Sequence, residues 1–69
     1  EYEDFLLLTH AKFSYGRILE TQGKYKEALA SYEKALDIFP EYKYNYYNIA
    51  NAQYQLRDYK NAIKNYNVF

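Results

Sequence analysis

Cysteine, methionine and tryptophan are absent from this chain of 69 residues, and proline occurs only once. Without cysteine the chain forms no disulfide and offers no thiolate to a zinc ion. The single histidine, His10, has no second histidine with which to complete a metal site. We therefore expect no metal and no cofactor. A domain of this length has a small core and depends on packing alone for its stability.

Long hydrophobic runs and an excess of charge are also missing. The longest apolar run near the start, residues 5–8, is too short to span a bilayer and follows acidic residues, unlike a signal peptide. We therefore expect no membrane association. No pattern identifies a cellular compartment, and the cytoplasm is only a default assignment. Nine basic side chains balance nine acidic ones, which argues against nucleic acid as the partner.

The balance of charge is uneven along the chain. Residues 1–41 hold eight acids and five bases, whereas residues 42–69 hold one acid and four bases. The two parts therefore carry formal charges of −3 and +3. This asymmetry would favour head-to-tail contacts between copies of the chain.

Apolar residues recur at steps of three and four in four segments, which predicts four amphipathic helices and no strands. Gly23 follows the first segment, where a left-handed glycine commonly ends a helix. Pro40 follows the second segment and stops its helix. Asp4 and Asp58 are suitable N-caps for the first and fourth helices. The predicted helices run from residue 4 or 9 to 22, from 25 to 38, from 42 to 56 and from 59 to the end.

The second half of the chain repeats the first at an offset of 34 residues. A period of this length predicts two stacked helical hairpins, because one hairpin cannot bury its apolar face alone. Small residues recur where two helix backbones would approach closely, so size is selected there rather than chemistry. The matching pairs are Gly16 with Ala50, Tyr25 with Tyr59, Lys26 with Lys60, Ala28 with Ala62, Leu29 with Ile63, and Tyr32 with Tyr66.

The spacing of these residues resembles that of tetratricopeptide repeats. Counted from Thr9, one repeat spans residues 9–42, and a second, with an incomplete second helix, spans residues 43–69. Residues 1–8 do not match the end of a preceding repeat, so we expect them to lengthen the first helix or to form a non-repeat segment. The resemblance assigns a packing role to Tyr15, Gly16, Ala28, Tyr32, Ala35, Pro40, Ile49, Ala50, Ala62 and Tyr66.

Two positions depart from the family pattern. Lys12 stands where the family prefers tryptophan, and Arg57 stands where the first repeat has Gly23. If Arg57 adopts a left-handed conformation, the strain costs about 1–2 kcal/mol. The turn of the second hairpin is therefore a candidate for a different geometry.

The resemblance implies an all-α fold of tandem antiparallel helix-turn-helix hairpins, part of a right-handed superhelix of the α-solenoid kind. It also implies a non-catalytic protein-interaction module. Its concave groove, formed by the first helix of each hairpin, would hold a peptide or helix of a partner. Aromatic and arginine side chains dominate binding hot spots, so those in the groove are the expected anchors. The family's groove positions fall on His10, Phe13, Arg17, Glu20, Thr21, Tyr44, Tyr47, Asn51, Tyr54 and Gln55.

Two more specific activities are not expected. Some family members clamp the C-terminal carboxylate of chaperone tails, but of the positions that this clamp needs only Asn48 matches. Catalysis is not expected because Ser14 and Ser31 lie inside predicted helices, without a turn that would present a nucleophile. The acids near the start of the chain complement a helix dipole.

Two alternatives to a binding groove remain open. Repeat arrays usually need three or more repeats, so the chain is either part of a longer array or associates with copies of itself through an exposed repeat end. It would then be a structural or oligomerisation spacer without a ligand of its own. An RNA-binding helical repeat that uses Tyr44, Tyr46 and Tyr47 is less favoured, because the net charge is zero. The sequence does not identify the partner.

Overall fold

The computed structural model of the chain describes residues 2–68, and four α-helices account for most of them. No β-strand occurs in this range. Each helix packs against the next one along the chain. The predicted all-α fold of helical hairpins is therefore confirmed; residues 1 and 69 of the predicted segments lie outside the described range. The helices are α1 (Tyr2–Thr21), α2 (Tyr25–Ile38), α3 (Tyr44–Gln55) and α4 (Tyr59–Val68).

The first helix begins at Tyr2, earlier than the sequence pattern predicts. Residues 2–8 continue into the rest of α1 without a break, so Asp4 lies in the first turn of the helix. The prediction that Asp4 is the N-cap is therefore wrong. The carboxylates of Glu3 and Asp4 instead complement the positive end of the helix dipole.

Both hairpins turn in the same way, through a residue with positive φ. Gly23 has a φ of 77° and Arg57 a φ of 65°. In the first turn the Lys24 N–H donates to the Leu19 carbonyl at 2.9 Å, and the second turn repeats this bond at 2.8 Å. This is the hydrogen bond of a Schellman motif, which places a left-handed residue just before the donor. The second turn thus keeps the geometry of the first, with an arginine in the strained position.

Replacing Arg57 by glycine is expected to stabilise the chain. A side chain in the left-handed region costs about 1–2 kcal/mol, and Arg57 is exposed, so Arg57→Gly removes the strain without losing a buried contact. The greater freedom of glycine in the unfolded chain offsets part of this gain. We expect the free energy of unfolding, measured by urea denaturation, to rise by about 1 kcal/mol.

The matched control for this prediction is Gly23→Arg, which introduces the same strain in the first turn. It should lower the free energy of unfolding by about 1–2 kcal/mol. A Cβ at Gly23 would meet no atom within 4 Å, so a loss there reports backbone strain and not a clash. An unchanged or lower stability of Arg57→Gly would contradict the prediction.

The interface between α1 and α2 forms the centre of the core. Ala28, Tyr32 and Ala35 of α2 are completely buried, and Phe13 of α1 is 6% exposed. A Cβ at Gly16 would lie 2.6 Å from Cε1 of Tyr32. The missing side chain at Gly16 therefore lets the tyrosine ring lie directly against the backbone of α1.

The small residues of the second hairpin are also buried. The exposed fractions of Ala50, Ala62 and Ile49 are 0%, 1% and 4%. Tyr66 is half-buried, and Pro40 is exposed in the segment between α2 and α3. The positions that the repeat pattern assigns to packing thus lie inside the second hairpin, apart from these two.

Two asparagines of α3 are buried, which the spacing of apolar residues did not predict. Asn45 is completely buried and Asn48 is 5% exposed. The Nδ2 of Asn45 donates to the Tyr32 carbonyl of α2 at 2.7 Å. On the other side of α3, the Nδ2 of Asn65 in α4 donates to Oε1 of Gln53 at 2.8 Å. Because buried amides need partners, these bonds favour one register of α3 against its two neighbours.

Tyr15 lies on the surface, although the repeat pattern assigns it to packing. Its exposed fraction is 56%, whereas that of its counterpart Ile49 is 4%. Ile49 belongs to α3, which packs against α2 of the first hairpin. Within residues 2–68 no helix precedes α1, so the corresponding face of α1 has no neighbour to pack against.

Candidate interaction groove

Side chains of α1 and α3 line a depression of about 490 Å³, which we call the groove. Five residues that the repeat pattern predicts for it lie here together: Arg17, Glu20, Tyr44, Tyr47 and Asn51. Two further residues on α2 and α3 complete it without having been predicted as groove residues. The full lining is Arg17, Glu20, Thr21, Tyr25, Tyr44, Tyr47, Asn48, Asn51 and Gln55.

Phe13 was predicted to be an anchor in the groove, but it lies in the core beneath it. Helix geometry turns it inward, because it shares the buried stripe of α1 with Thr9 and Gly16, four and three residues away. The Phe13 ring supports the groove from below. Its centroid lies 5.9 Å from that of Tyr44, and Cζ of Arg17 stands 6.0 Å above the ring. Phe13 therefore positions two groove side chains instead of facing a partner.

His10 and Tyr54 lie outside the lining of the groove. His10 is exposed and borders a second, smaller cavity near the first half of α1. Tyr54 stands in the last turn of α3, where its ring contacts that of Tyr59 with 5.5 Å between centroids. Of the eight residues predicted to bind a partner, these two and Phe13 are thus not part of the groove surface.

Five aromatic rings form a continuous row from α1 across α3 to α4. The centroid separations are 6.4 Å for His10–Phe13, 5.9 Å for Phe13–Tyr44, 5.6 Å for Tyr44–Tyr47 and 5.8 Å for Tyr47–Tyr66. The last three pairs meet edge to face, an arrangement that is favourable beyond the area it buries. Tyr44 and Tyr47 are therefore held from both sides while 41% and 37% of their surface stays exposed.

Two tyrosine hydroxyls hold polar side chains of the groove in place. The hydroxyl of Tyr32 donates to Oε1 of Glu20 at 2.6 Å. The hydroxyl of Tyr66 donates to Oδ1 of Asn51. The two tyrosines occupy equivalent positions of the repeat, but their acceptors do not. The acceptor atoms of Glu20 and Asn51 are thus occupied from the side of the core, and the Asn51 amide nitrogen keeps its donor capacity for a ligand.

Both hydroxyls stay protonated well above neutral pH. Burial raises the pKa of Tyr32, and its hydrogen bond to Glu20 and the charge of that carboxylate raise it further. Burial also raises the pKa of Tyr66, with smaller contributions from Tyr47 and Tyr54. Because a protonated hydroxyl is the form that can donate, both bonds persist throughout the physiological range of pH.

The charges in the groove balance. Arg17 and Glu20 carry opposite charges, and the other residues that line the groove are uncharged. Their side chains offer aromatic faces, amides and hydroxyls, which can stack on a ligand and form hydrogen bonds with a peptide. The groove therefore has the chemistry of a binding surface.

The structure offers no metal-binding cluster in the described part of the chain. Across residues 2–68, three or more His, Cys, Asp or Glu side chains nowhere come together in a group that could hold an ion. Of the two serines, Ser31 donates from Oγ to the Lys12 carbonyl at 2.6 Å, so its hydroxyl links α2 to α1. In the same described range, none of the helices is long and apolar enough to cross a membrane.

Stacked helical hairpins with a 34-residue offset define the class of protein. A family model described as TPR repeat matches residues 16–57, more than half of the chain. The chain belongs to the tetratricopeptide repeat family. Members of this family typically mediate protein–protein interactions as non-catalytic scaffold modules. No curated protein matches the chain.

Proposed function

We propose that the chain binds an extended peptide or a helix of a partner protein in the groove, without catalysing a reaction. The observation that carries this proposal is the grouping of Arg17, Tyr44, Tyr47 and Asn51 in one depression of about 490 Å³. Arginine and tyrosine are enriched among residues that dominate binding energy. We also propose that the repeats span residues 9–42 and 43–69, so that each contributes its first helix to the groove.

The side chains of the groove are held before a partner arrives. Tyr44 and Tyr47 contact each other edge to face, with Phe13 behind the first and Tyr66 behind the second. Arg17 stands over the Phe13 ring. Each immobilised side chain removes part of the ordering entropy that binding otherwise has to overcome. The groove is therefore suited to recognise a partner with little rearrangement of its own residues.

The double variant Arg17→Ala/Tyr47→Ala is expected to lose its partner. Each change removes an exposed hot-spot side chain without opening the core, because Arg17 and Tyr47 are both exposed. Truncation of one hot-spot residue costs about 2 kcal/mol or more, which weakens binding about 30-fold or more. The measurement is affinity capture of partners from an extract of the source cell, followed by titration of the captured partner.

The matched control is Lys26→Ala/Tyr15→Ala, which removes one cation and one exposed tyrosine that do not line the groove. It should capture the same partner with unchanged affinity. If Arg17→Ala/Tyr47→Ala retains that partner, the groove is not the binding surface. If neither variant nor the parent chain captures any protein, the spacer alternative is supported instead.

A further inference from the structure

A second cavity, of about 200 Å³, lies beside the groove between the first half of α1 and the segment that joins α2 to α3. We call it the Thr9 cavity; Leu6, Thr9, His10, Phe39 and Tyr42 line it. Its walls combine an aliphatic side chain, two benzene-type rings and an imidazole. The function proposed above does not use this cavity.

Thr9 brings a buried hydroxyl to this cavity. The residue is 3% exposed, and its Oγ1 has no hydrogen-bond partner in the described part of the chain. A threonine in a helix can donate to the carbonyl three or four residues earlier, but Thr9 makes no such bond. Buried polar atoms in native proteins nearly always have a partner. A ligand hydroxyl would supply the partner that the chain itself does not.

We infer that the Thr9 cavity receives a tyrosine side chain of the partner that occupies the groove. An apolar cavity of about 150 Å³ can hold benzene, so the 200 Å³ present here has room for a phenol ring. Its ring would pack against Phe39 and Tyr42, and its hydroxyl would pair with Oγ1 of Thr9, which can donate or accept. Leucine or phenylalanine would leave that hydroxyl unpaired, and a charged side chain would lose its hydration.

The ring of Phe13 connects the Thr9 cavity with the groove. Its centroid lies 6.4 Å from that of His10 and 5.6 Å from that of Tyr42, both in the cavity. On its other side the Phe13 centroid lies 5.9 Å from that of Tyr44 in the groove. The inference therefore rests on the proposed function, since one segment along the groove would insert its tyrosine here.

The test uses two small probes that differ in one hydroxyl. These are p-cresol, the side chain of tyrosine, and toluene, the side chain of phenylalanine. Each is titrated into the ¹⁵N-labelled chain, and dissociation constants are taken from amide shifts at residues 6–10 and 39–42. The preference for p-cresol over toluene should be about fivefold greater in the parent chain than in Thr9→Val, the ratio that one ordinary hydrogen bond supplies.

Two variants of Thr9 separate the hydroxyl from the shape of the side chain. Thr9→Val keeps the branched shape and should lose the extra preference for p-cresol. Thr9→Ser keeps the hydroxyl and should retain it. Circular dichroism establishes that both variants are as helical as the parent chain. Equal preference in the parent chain and Thr9→Val overturns the inference, as does binding of neither probe, or shifts confined to the groove.

The outcome is independent of the groove experiment. In Arg17→Ala/Tyr47→Ala the binding of p-cresol should be unchanged, because neither residue lines the Thr9 cavity. A chain that keeps its preference for p-cresol while Arg17→Ala/Tyr47→Ala retains the partner contradicts only the proposed groove. A chain whose groove variants lose the partner while p-cresol fails to bind contradicts only the Thr9 cavity.

Discussion

Gly16→Val is expected to lower the free energy of unfolding by about 2–3 kcal/mol, because it forces carbon atoms into space that Tyr32 already fills. A Cβ alone would lie 2.6 Å from Cε1 and 2.7 Å from Cδ1 of the Tyr32 ring. The ring has nowhere to move. It is completely buried, its hydroxyl is bonded to Glu20, and the Phe13 centroid lies 5.9 Å from its own. Urea denaturation followed by circular dichroism measures the change.

The loss is large relative to the whole stability of the chain. Domains of this length are stable by about 3–10 kcal/mol. The matched control is Ala11→Val, which places the same side chain on an exposed position of α1. It should cost less than about 1 kcal/mol, the difference in helix propensity. If Gly16→Val unfolds at the same urea concentration as Ala11→Val, the close contact between Gly16 and Tyr32 is not a constraint on the fold.

Tyr32→Ala is expected to have the largest effect of any single change, a loss of about 3–5 kcal/mol. Tyr32 is one of the two largest side chains that are completely buried. Its removal opens a void between α1 and α2, where the backbone of Gly16 and the ring of Phe13 lose their contact. We expect an unfolding midpoint near zero urea and a partly unfolded chain at 25 °C, measured by circular dichroism.

Tyr32→Phe separates the ring from the hydroxyl. The ring is kept, and the bond to Glu20 is lost, which should cost about 1 kcal/mol. A second readout is pH. Because the pKa of Tyr32 is raised in the folded chain, the parent chain should lose stability as the pH rises above about 10, the ordinary pKa of tyrosine. Tyr32→Phe should lose less over the same range. Equal losses for Tyr32→Ala and Tyr32→Phe would contradict the packing argument.

The two predictions can be combined in one cycle. In the Tyr32→Ala background the ring no longer occupies the space in front of Gly16, so Gly16→Val has room for its side chain. The double variant should therefore be more stable than the sum of the single losses predicts, by about 1–3 kcal/mol. Simple additivity would show that the two residues destabilise the chain by separate routes.

Much of the fold could be predicted from the spacing of residue types. Steps of three and four indicate helices, and the offset of 34 residues indicates that the hairpins stack. Both patterns depend on local geometry, since a helix presents every third or fourth residue on one face. For the same reason Arg17 and Tyr47 could be assigned to the groove, where they lie on the first helix of each hairpin.

The direction of individual side chains was harder to predict. Phe13 was expected in the groove and lies beneath it, because α2 and α3 both pack on the side of α1 that it faces. Tyr15 was expected inside and lies outside, because no described helix covers its side of α1. Asn45 is polar and completely buried, because the Tyr32 carbonyl of α2 accepts its hydrogen bond. Each case depends on a neighbour distant in sequence.

The amino-acid sequence by itself determined the number of helices, the positive φ at Gly23 and the register of one repeat on the other. These follow from backbone conformational preference and from side-chain size at fixed intervals, which are properties of the chain before it folds. Only the tertiary structure decided which aromatic rings form the groove, which support it, and that the Thr9 hydroxyl lacks a partner. Burial and hydrogen bonding depend on which helices meet, and a single strand of sequence carries no direct record of that meeting.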